Sequence, residues 1–135
     1  MLILEKIFNS RQRGNLAERM AEAYLTAQGL QSIERNYHCR QGEVDLVMED
    51  KNTLVFIEVR YRCGSVFGEA VETVGYQKQK KIIRAAQHYL HRHQLSEKIN
   101  VRFDIVGLQP KFKSKPLEDA READLNFRWI KNAFS

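Results

Sequence analysis

Three charged residues interrupt two segments that otherwise read as core strands. Asp45 lies in the run GEVDLVMED, and Glu58 and Arg60 lie in the run TLVFIEVRYR. Charged side chains are rarely fully buried unless they are paired or hold a metal ion. Their placement in the middle of predicted strands therefore indicates either a network of ion pairs or a metal site.

Pairing of Asp50 with Thr53 across a two-residue turn would place Asp45 opposite Glu58. Like charges that face each other destabilise a sheet pair, and a divalent cation removes that repulsion. Carboxylate oxygens suit hard cations, so we expect Asp45 and Glu58 to bind Mg²⁺ or Mn²⁺, with a capacity for phosphodiester hydrolysis. Strict alternation assigns one face to Glu43, Asp45 and Val47 and the other to Val44, Leu46 and Met48.

The same strands also allow a purely structural interpretation. Glu43 could form a salt bridge with Arg60, and Asp45 with Arg62, on a half-solvated sheet face. The pattern by itself favours neither interpretation.

A third carboxylate is available on the preceding helix. Glu18 lies at the edge of the apolar stripe of that helix and can reach the sheet near Asp45. A plain charge on the helix surface is the alternative for this residue. Glu22, one turn further on, is expected to point toward solvent. Asp104, in the last predicted strand, is expected to be structural and to bond a neighbouring strand.

The elements that position these residues follow from apolar periodicity and turn residues. The predicted elements are a helix (Asn15–Gln28), three strands (Leu30–His38, Gly42–Met48 and Thr53–Arg62), a second helix (Tyr76–His93), a strand (Asn100–Leu108) and a short terminal helix (Phe127–Phe134). The first three strands should form an antiparallel meander, and the third and fourth should be parallel. The predicted class is α/β, with a central mixed β-sheet flanked by helices in the order α-β-β-β-α-β.

Length and composition indicate one domain without a targeting segment. The 135 residues divide into a flexible N-terminal arm, residues 1–13, and a single domain, residues 14–135. No apolar run is long enough for a signal peptide or a membrane span. We therefore expect a cytoplasmic protein with no membrane partner, in which Cys39 and Cys63 are reduced thiols.

The second predicted helix is strongly basic. No acidic residue occurs between Thr73 and Ser96, and the whole chain carries a net charge of +5. The residues expected to contact nucleic acid are Arg62, Gln77, Lys78, Lys80, Lys81 and Arg84. An ordinary solvated helix face is the alternative. The nearby histidines His88, His91 and His93 lack the convergent partners that a metal site needs.

Six segments in this order resemble the YraN-like family of bacterial proteins over nearly the whole chain. They are GNLAERMAEAYLTAQG, ERNYHCRQGEVDLVMED, LVFIEVRYR, KQKKIIRAAQHYL, VRFDIVGL and WIKNAF. That family is similar to archaeal Holliday-junction resolvases and is placed in the PD-(D/E)XK superfamily of restriction-endonuclease-like nucleases. The resemblance implies a restriction-endonuclease-like fold and a metal-dependent nuclease site.

The resemblance also assigns roles to particular residues. Asp45 matches the first metal-binding acid, Glu58 the second, and Glu18 the helix acid of resolvase-like members. Arg60 stands where the superfamily has lysine, and a guanidinium cannot accept a proton from water. Lys78 or Lys81 could supply a displaced lysine if the start of the second helix lies over the site.

Three functional hypotheses follow. The first is a Mg²⁺- or Mn²⁺-dependent endonuclease acting on branched DNA, expected to work as a symmetric homodimer because four-way junctions have two-fold character. In it, Glu18, Asp45, Glu58 and Arg60 form the catalytic set. The second is a module that retains the fold and binds nucleic acid without cleaving it. The third is a protein-interaction domain that binds no nucleic acid.

Overall fold

The computed structural model describes residues 10–62, 74–95, 98–111 and 117–135, and the side chains from residue 14 onward. The elements are α1 (Ser10–Ala27), β1 (Gln31–Cys39), β2 (Gly42–Asp50), β3 (Thr53–Tyr61), α2 (Tyr76–Arg92), β4 (Asn100–Pro110), two short 3₁₀ turns (Leu117–Asp119 and Glu122–Asp124) and β5 (Leu125–Phe134). Helix α1 begins within the predicted arm, whose residues 1–9 lie outside the described part, as does Cys63.

The five strands form one mixed sheet in the order β1-β2-β3-β4-β5. Strands β1, β2 and β3 are antiparallel neighbours, β3 and β4 are parallel, and β5 is antiparallel to β4. The predicted α/β class, the order α-β-β-β-α-β and the central mixed sheet are confirmed. The architecture is that of the restriction-endonuclease-like fold.

Each face of the sheet buries its own apolar core. One core packs α1 against the sheet and includes Ala21, Leu25 and Ile57. The other packs α2 against the opposite face and includes Phe56 and Ile82. Strands buried on both faces read as nearly continuous apolar runs, as in the stretch LVFI of β3.

The prediction of a terminal helix is wrong, because this segment is strand β5. Its apolar residues Phe127, Ile130 and Phe134 have helical spacing, and this spacing is the reason that the sequence pattern favoured a helix. In the fold Phe127 stacks on Tyr24 of α1, with ring centroids 4.4 Å apart. These tertiary contacts and the pairing with β4 outweigh the local pattern.

Asp104 attaches β5 to β4, as expected for a structural acid. Its fully buried carboxylate accepts hydrogen bonds from Trp129 Nε1 and from the backbone N–H of Asn132, each 2.9 Å long. Arg102 Nε donates to the same carboxylate, 3.1 Å from Oδ1. A buried carboxylate with this many donors is well satisfied.

Strands β2 and β3 form a fork. Their pairing runs from Asp50–Thr53 to Leu46–Ile57, which is the predicted register. Beyond that point β2 stays paired with β1 as far as Gly42, whereas β3 stays paired with β4 as far as Tyr61. Asp45 and Glu58, which the predicted register places opposite each other, lie directly after the last pair, where the two strands separate.

Strict alternation fails in β2 at this fork. Leu46 and Met48 pack in the core under α1, and Val47 packs under α2, as alternation requires. Val44, however, also packs under α2, so its predicted face is wrong. The order of faces therefore reverses around Asp45.

Candidate functional site

Asp45 is the centre of a carboxylate cluster at the β2–β3 fork. Its Oδ2 atom accepts a hydrogen bond of 2.8 Å from the backbone N–H of Val59. Its side chain also shares hydrogen bonds with Glu58 of β3 and with Glu18 of α1. The predicted approach of Glu18 to the sheet near Asp45 is thus observed, and one aspartate links carboxylates from a strand and a helix.

The cluster disfavours full ionisation. Burial raises the pKa of Glu58 to about 9, with a further contribution from Asp45, against the opposing charges of Lys78 and Arg60. Burial and Asp45 likewise raise the pKa of Glu18 to about 8. A hydrogen bond between two carboxyl groups requires a proton on one of them, so the cluster holds protons at neutral pH.

The donor set suits a hard cation. A divalent ion can replace the protons that the cluster otherwise holds, and ligands are deprotonated when a metal binds. Glu18 Oε2 is buried and has no hydrogen-bond partner among the described residues, so it is available as an acceptor. Within the described ranges, no three His, Cys, Asp or Glu side chains form a metal-binding group. Mg²⁺ usually takes only one or two protein carboxylates and leaves its other positions to water and phosphate.

A lysine from α2 reaches the same cluster. Lys78 Nζ lies 3.6 Å from Glu58 Oε2, and Glu58 is only 6% exposed. Lys81, the other candidate for a displaced lysine, is exposed on the helix. Arg60 is half-buried, and its Nε atom has no hydrogen-bond partner in the part of the chain that the structure describes.

The alternative interpretation by salt bridges does not match these contacts. Glu43 pairs with His38, at 3.1 Å between Oε2 and Nδ1. Among the described residues, neither Glu43–Arg60 nor Asp45–Arg62 forms an ion pair, and Arg62 is exposed at the end of β3.

Gly42 determines how closely α2 approaches the sheet. A Cβ atom at this position would lie 2.8 Å from the backbone oxygen of Lys81, closer than real Cβ contacts allow. Glycine therefore permits the first turns of α2 to rest on the start of β2. This close contact holds Lys78 over Glu58.

The outer face of α2 is polar and basic. Gln77, Arg84, His88 and His91 are exposed, and Lys80 is half-buried with its ammonium 4.4 Å from the centre of the Tyr76 ring. His88 also exchanges a hydrogen bond with the buried Tyr37 hydroxyl. The predicted nucleic-acid contacts on α2 thus lie on one helix that begins at the carboxylate cluster.

Two features were missed from the sequence. Glu22 does not face solvent: it is 8% exposed and accepts hydrogen bonds from Ser32 (2.6 Å) and Arg35 Nε (2.8 Å). Its partners lie on β1, so helical periodicity could not reveal them. Asn36 was not singled out either, although it bonds Glu18. The only local signal was a polar, turn-forming residue inside a strand.

Fold and site together define an α/β domain of the restriction-endonuclease-like class, with its carboxylate cluster at a fork in the sheet. No helix in the described part is long and apolar enough to cross a membrane. The chain belongs to the uncharacterised protein family UPF0102, which matches residues 17–108 and is the YraN-like family expected from the motifs.

Relatives of similar length support this assignment. A UPF0102 protein of Alcanivorax borkumensis is 44% identical over 126 residues, covering 93% of this chain and 94% of the relative. One of Nitrosococcus oceani is 45% identical over 124 residues, covering 92% of both. One of Coxiella burnetii is 47% identical over 117 residues, covering 87% of both.

Proposed function

We propose that this protein is a Mg²⁺- or Mn²⁺-dependent endonuclease that acts on branched DNA. The observation that carries the proposal is the Asp45 carboxylate, which bonds both Glu18 and Glu58 at the fork of β2 and β3. Keeping protons on these carboxyl groups at neutral pH, well above their ordinary pKa, costs folding free energy that a bound cation would recover, so a function is the best explanation of the cluster.

Asp45 and Glu58 are the residues that would hold the ion, with Asp45 fixed by the N–H of Val59. When bound, the ion would act as a Lewis acid toward phosphate and lower the pKa of a bound water. Lys78 places an ammonium beside Glu58, where it can orient the attacking water. Arg60 can hold a phosphate oxygen through its guanidinium, and Glu18 supports Asp45 from the helix side.

The basic face of α2 would hold the DNA backbone. Arg84 lies six residues beyond Lys78, between one and two turns of helix, and Lys80 lies about half a turn beyond it on another side of α2. A strand that follows α2 would thus lead to the carboxylate cluster, and Gln77, Lys81 and Arg62 would add contacts around it. A two-fold junction would require two such sites, so a homodimer is part of the proposal.

A second candidate, a nucleic-acid-binding module without turnover, is favoured by one observation. Arg60 occupies the position of the superfamily lysine and cannot accept a proton. Under this alternative α2 still binds nucleic acid, and the carboxylate cluster is a relic.

The test uses the full chain with labelled branched, flapped and single-stranded DNA, in Mn²⁺ and in chelator. Asp45→Asn is the informative variant, because the amide oxygen can still accept the N–H of Val59 while the charge is lost. Glu49→Gln is the matched control, since Glu49 is an exposed acid on the same strand, away from the fork.

Under the proposal, branched DNA is cut in Mn²⁺ by the wild type and by Glu49→Gln, and Asp45→Asn is inactive. Salt-sensitive binding without cleavage, equal in all three proteins, would support the binding module instead. Binding to none of the substrates would reject both and leave a protein-interaction domain.

A further inference from the structure

Asn36 has an unusual backbone for a residue in the middle of a strand. Its φ is +52°, in the left-handed region that L-residues seldom occupy and that asparagine tolerates better than most. It lies in β1 between the pairs Arg35–Leu46 and Tyr37–Val44, which places it next to Asp45 across the ladder.

This conformation reverses the order of faces along β1. Arg35 reaches α1, where it bonds Glu22. Tyr37, two residues on, packs under α2 and bonds His88. Residues two apart in a regular strand share a face, so the chain turns over at Asn36. The same reversal occurs in β2 around Asp45, at the point where β2 leaves β3.

The side chain of Asn36 acts on the cluster as well. Its amide donates a hydrogen bond to the Glu18 carboxylate. An amide donor also fixes the orientation of the carboxylate, which leaves the buried Oε2 atom of Glu18 free of protein donors among the described residues.

We infer that Asn36 is a positioning residue for the carboxylate cluster, through two separable contributions. Its left-handed backbone turns β1 beside Asp45, and its amide holds Glu18 in the orientation that a cation requires. The positioning of Glu18 by the amide does not depend on the proposed function. Only the statement that this orientation serves a cation rests on it.

The test replaces Asn36 by glycine, which accepts a positive φ but has no amide side chain. Asn132→Gly is a matched control, because Asn132 is also an asparagine with φ of +52° in a strand, yet bonds Asp104 through its backbone. The first measurement is Mn²⁺ affinity by calorimetry. The second is a double-mutant cycle with Glu18→Ala in chelator, read as the unfolding equilibrium constant.

The inference predicts that Asn36→Gly weakens Mn²⁺ binding about 10-fold, as loss of a partner that orients a ligand does, while Asn132→Gly does not. It also predicts that the effects of Asn36→Gly and Glu18→Ala on the unfolding equilibrium constant are coupled, so that the double variant departs from the product of the single effects by a factor of about three. The effects of Asn132→Gly and Glu18→Ala on the same constant should be independent. If Asn36→Gly and Glu18→Ala change the unfolding equilibrium constant independently, the inference is overturned, whether or not the wild type binds Mn²⁺. A wild type that binds no Mn²⁺ but shows the coupling would reject the proposed function and retain the positioning of Glu18.

Discussion

The ammonium of Lys78 lies 3.6 Å from the carboxylate of Glu58, although the two residues belong to different elements. Glu58 is in a central strand and Lys78 is in the first turn of α2. The side chain of Lys78 keeps 35% of its surface exposed, so it is accessible to a substrate while it remains beside a buried acid. This contact places a second cation beside the cluster, in addition to the guanidinium of Arg60.

Lys78→Gln should lower the cleavage rate by about 100-fold or more, which is typical for loss of a group that assists proton transfer. Lys81→Gln is the matched control, because Lys81 lies on the same helix but is exposed. Single-turnover rates at saturating protein separate this effect from binding. Adding Arg60→Lys to Lys78→Gln should restore part of the rate. If Lys78→Gln and Lys81→Gln lower the cleavage rate equally, the effect comes from the lost positive charge and not from the contact of Lys78 with Glu58.

Glu58→Gln should stabilise the protein in chelator. The amide needs no proton and can donate to Asp45. The folded pKa of Glu58, about 9, lies above the ordinary value of 4.5. Wild-type stability from this group is therefore present at low pH and is lost as pH rises from about 4.5 to 9.

The melting temperature of Glu58→Gln should thus exceed that of the wild type by an amount that grows across this range. Mn²⁺ should raise the melting temperature of the wild type only. Glu49→Gln, at an exposed acid on β2 away from the fork, should show neither effect. A constant difference between Glu58→Gln and wild type from pH 5 to 9 would contradict the prediction.

Gly42→Ala should destabilise the protein by about 1–3 kcal/mol, as overpacking does, because the new Cβ would meet the Lys81 carbonyl at 2.8 Å. The shift of α2 should also reduce cleavage by moving Lys78 from Glu58. Gly14→Ala is the control: this helical glycine has no described heavy atom within 4 Å of its Cβ position, and alanine there should stabilise by up to about 1 kcal/mol. Chemical denaturation measures the free energy of unfolding of both variants. A Gly42→Ala variant as stable as the wild type would argue against the close packing of α2 on Gly42.

Acid should weaken the contact between α1 and β1 that Glu22 forms with Ser32 and Arg35. Burial opposes ionisation of Glu22, but hydrogen bonds from Arg35 and Ser32 outweigh it, so the pKa of Glu22 lies below its usual range. The stabilisation is therefore present above the unfolded pKa, near 4.5, and is lost as pH falls through the folded pKa. Glu22→Gln should be less stable than wild type at pH 7, by about 1 kcal/mol, and the difference should shrink below pH 4. A difference that persists at pH 3 would assign the effect to packing.

Arg84→Gln should weaken DNA binding in chelator uniformly across sequences. Loss of one phosphate contact should reduce the slope of log affinity against log salt by about 1. Arg128→Gln, at an exposed arginine on β5, should leave both affinity and slope unchanged. If the two variants behave alike, the protein binds DNA through its overall charge and not through α2.

Local patterns accounted for most elements of the fold. The strands around Asp45 and Glu58 were predictable because apolar runs and a polar turn fix strand position and register within a hairpin. The basic face of α2 was predictable for a similar reason, since helical spacing alone separates its outer face from its core face. The position of Glu18 at the edge of the α1 stripe left two directions open, toward the sheet or toward solvent, and the fold turns it toward Asp45.

The sequence by itself therefore determined the α/β class, the family and the acids that meet at the fork. Only the tertiary structure decided that the last segment is a strand, because its partners on β4 and α1 are distant in sequence. It also decided the reversal of faces at Asn36 and the contact of Lys78 with Glu58. These features depend on a left-handed backbone and on the approach of a helix to Gly42, which no periodicity within one segment encodes.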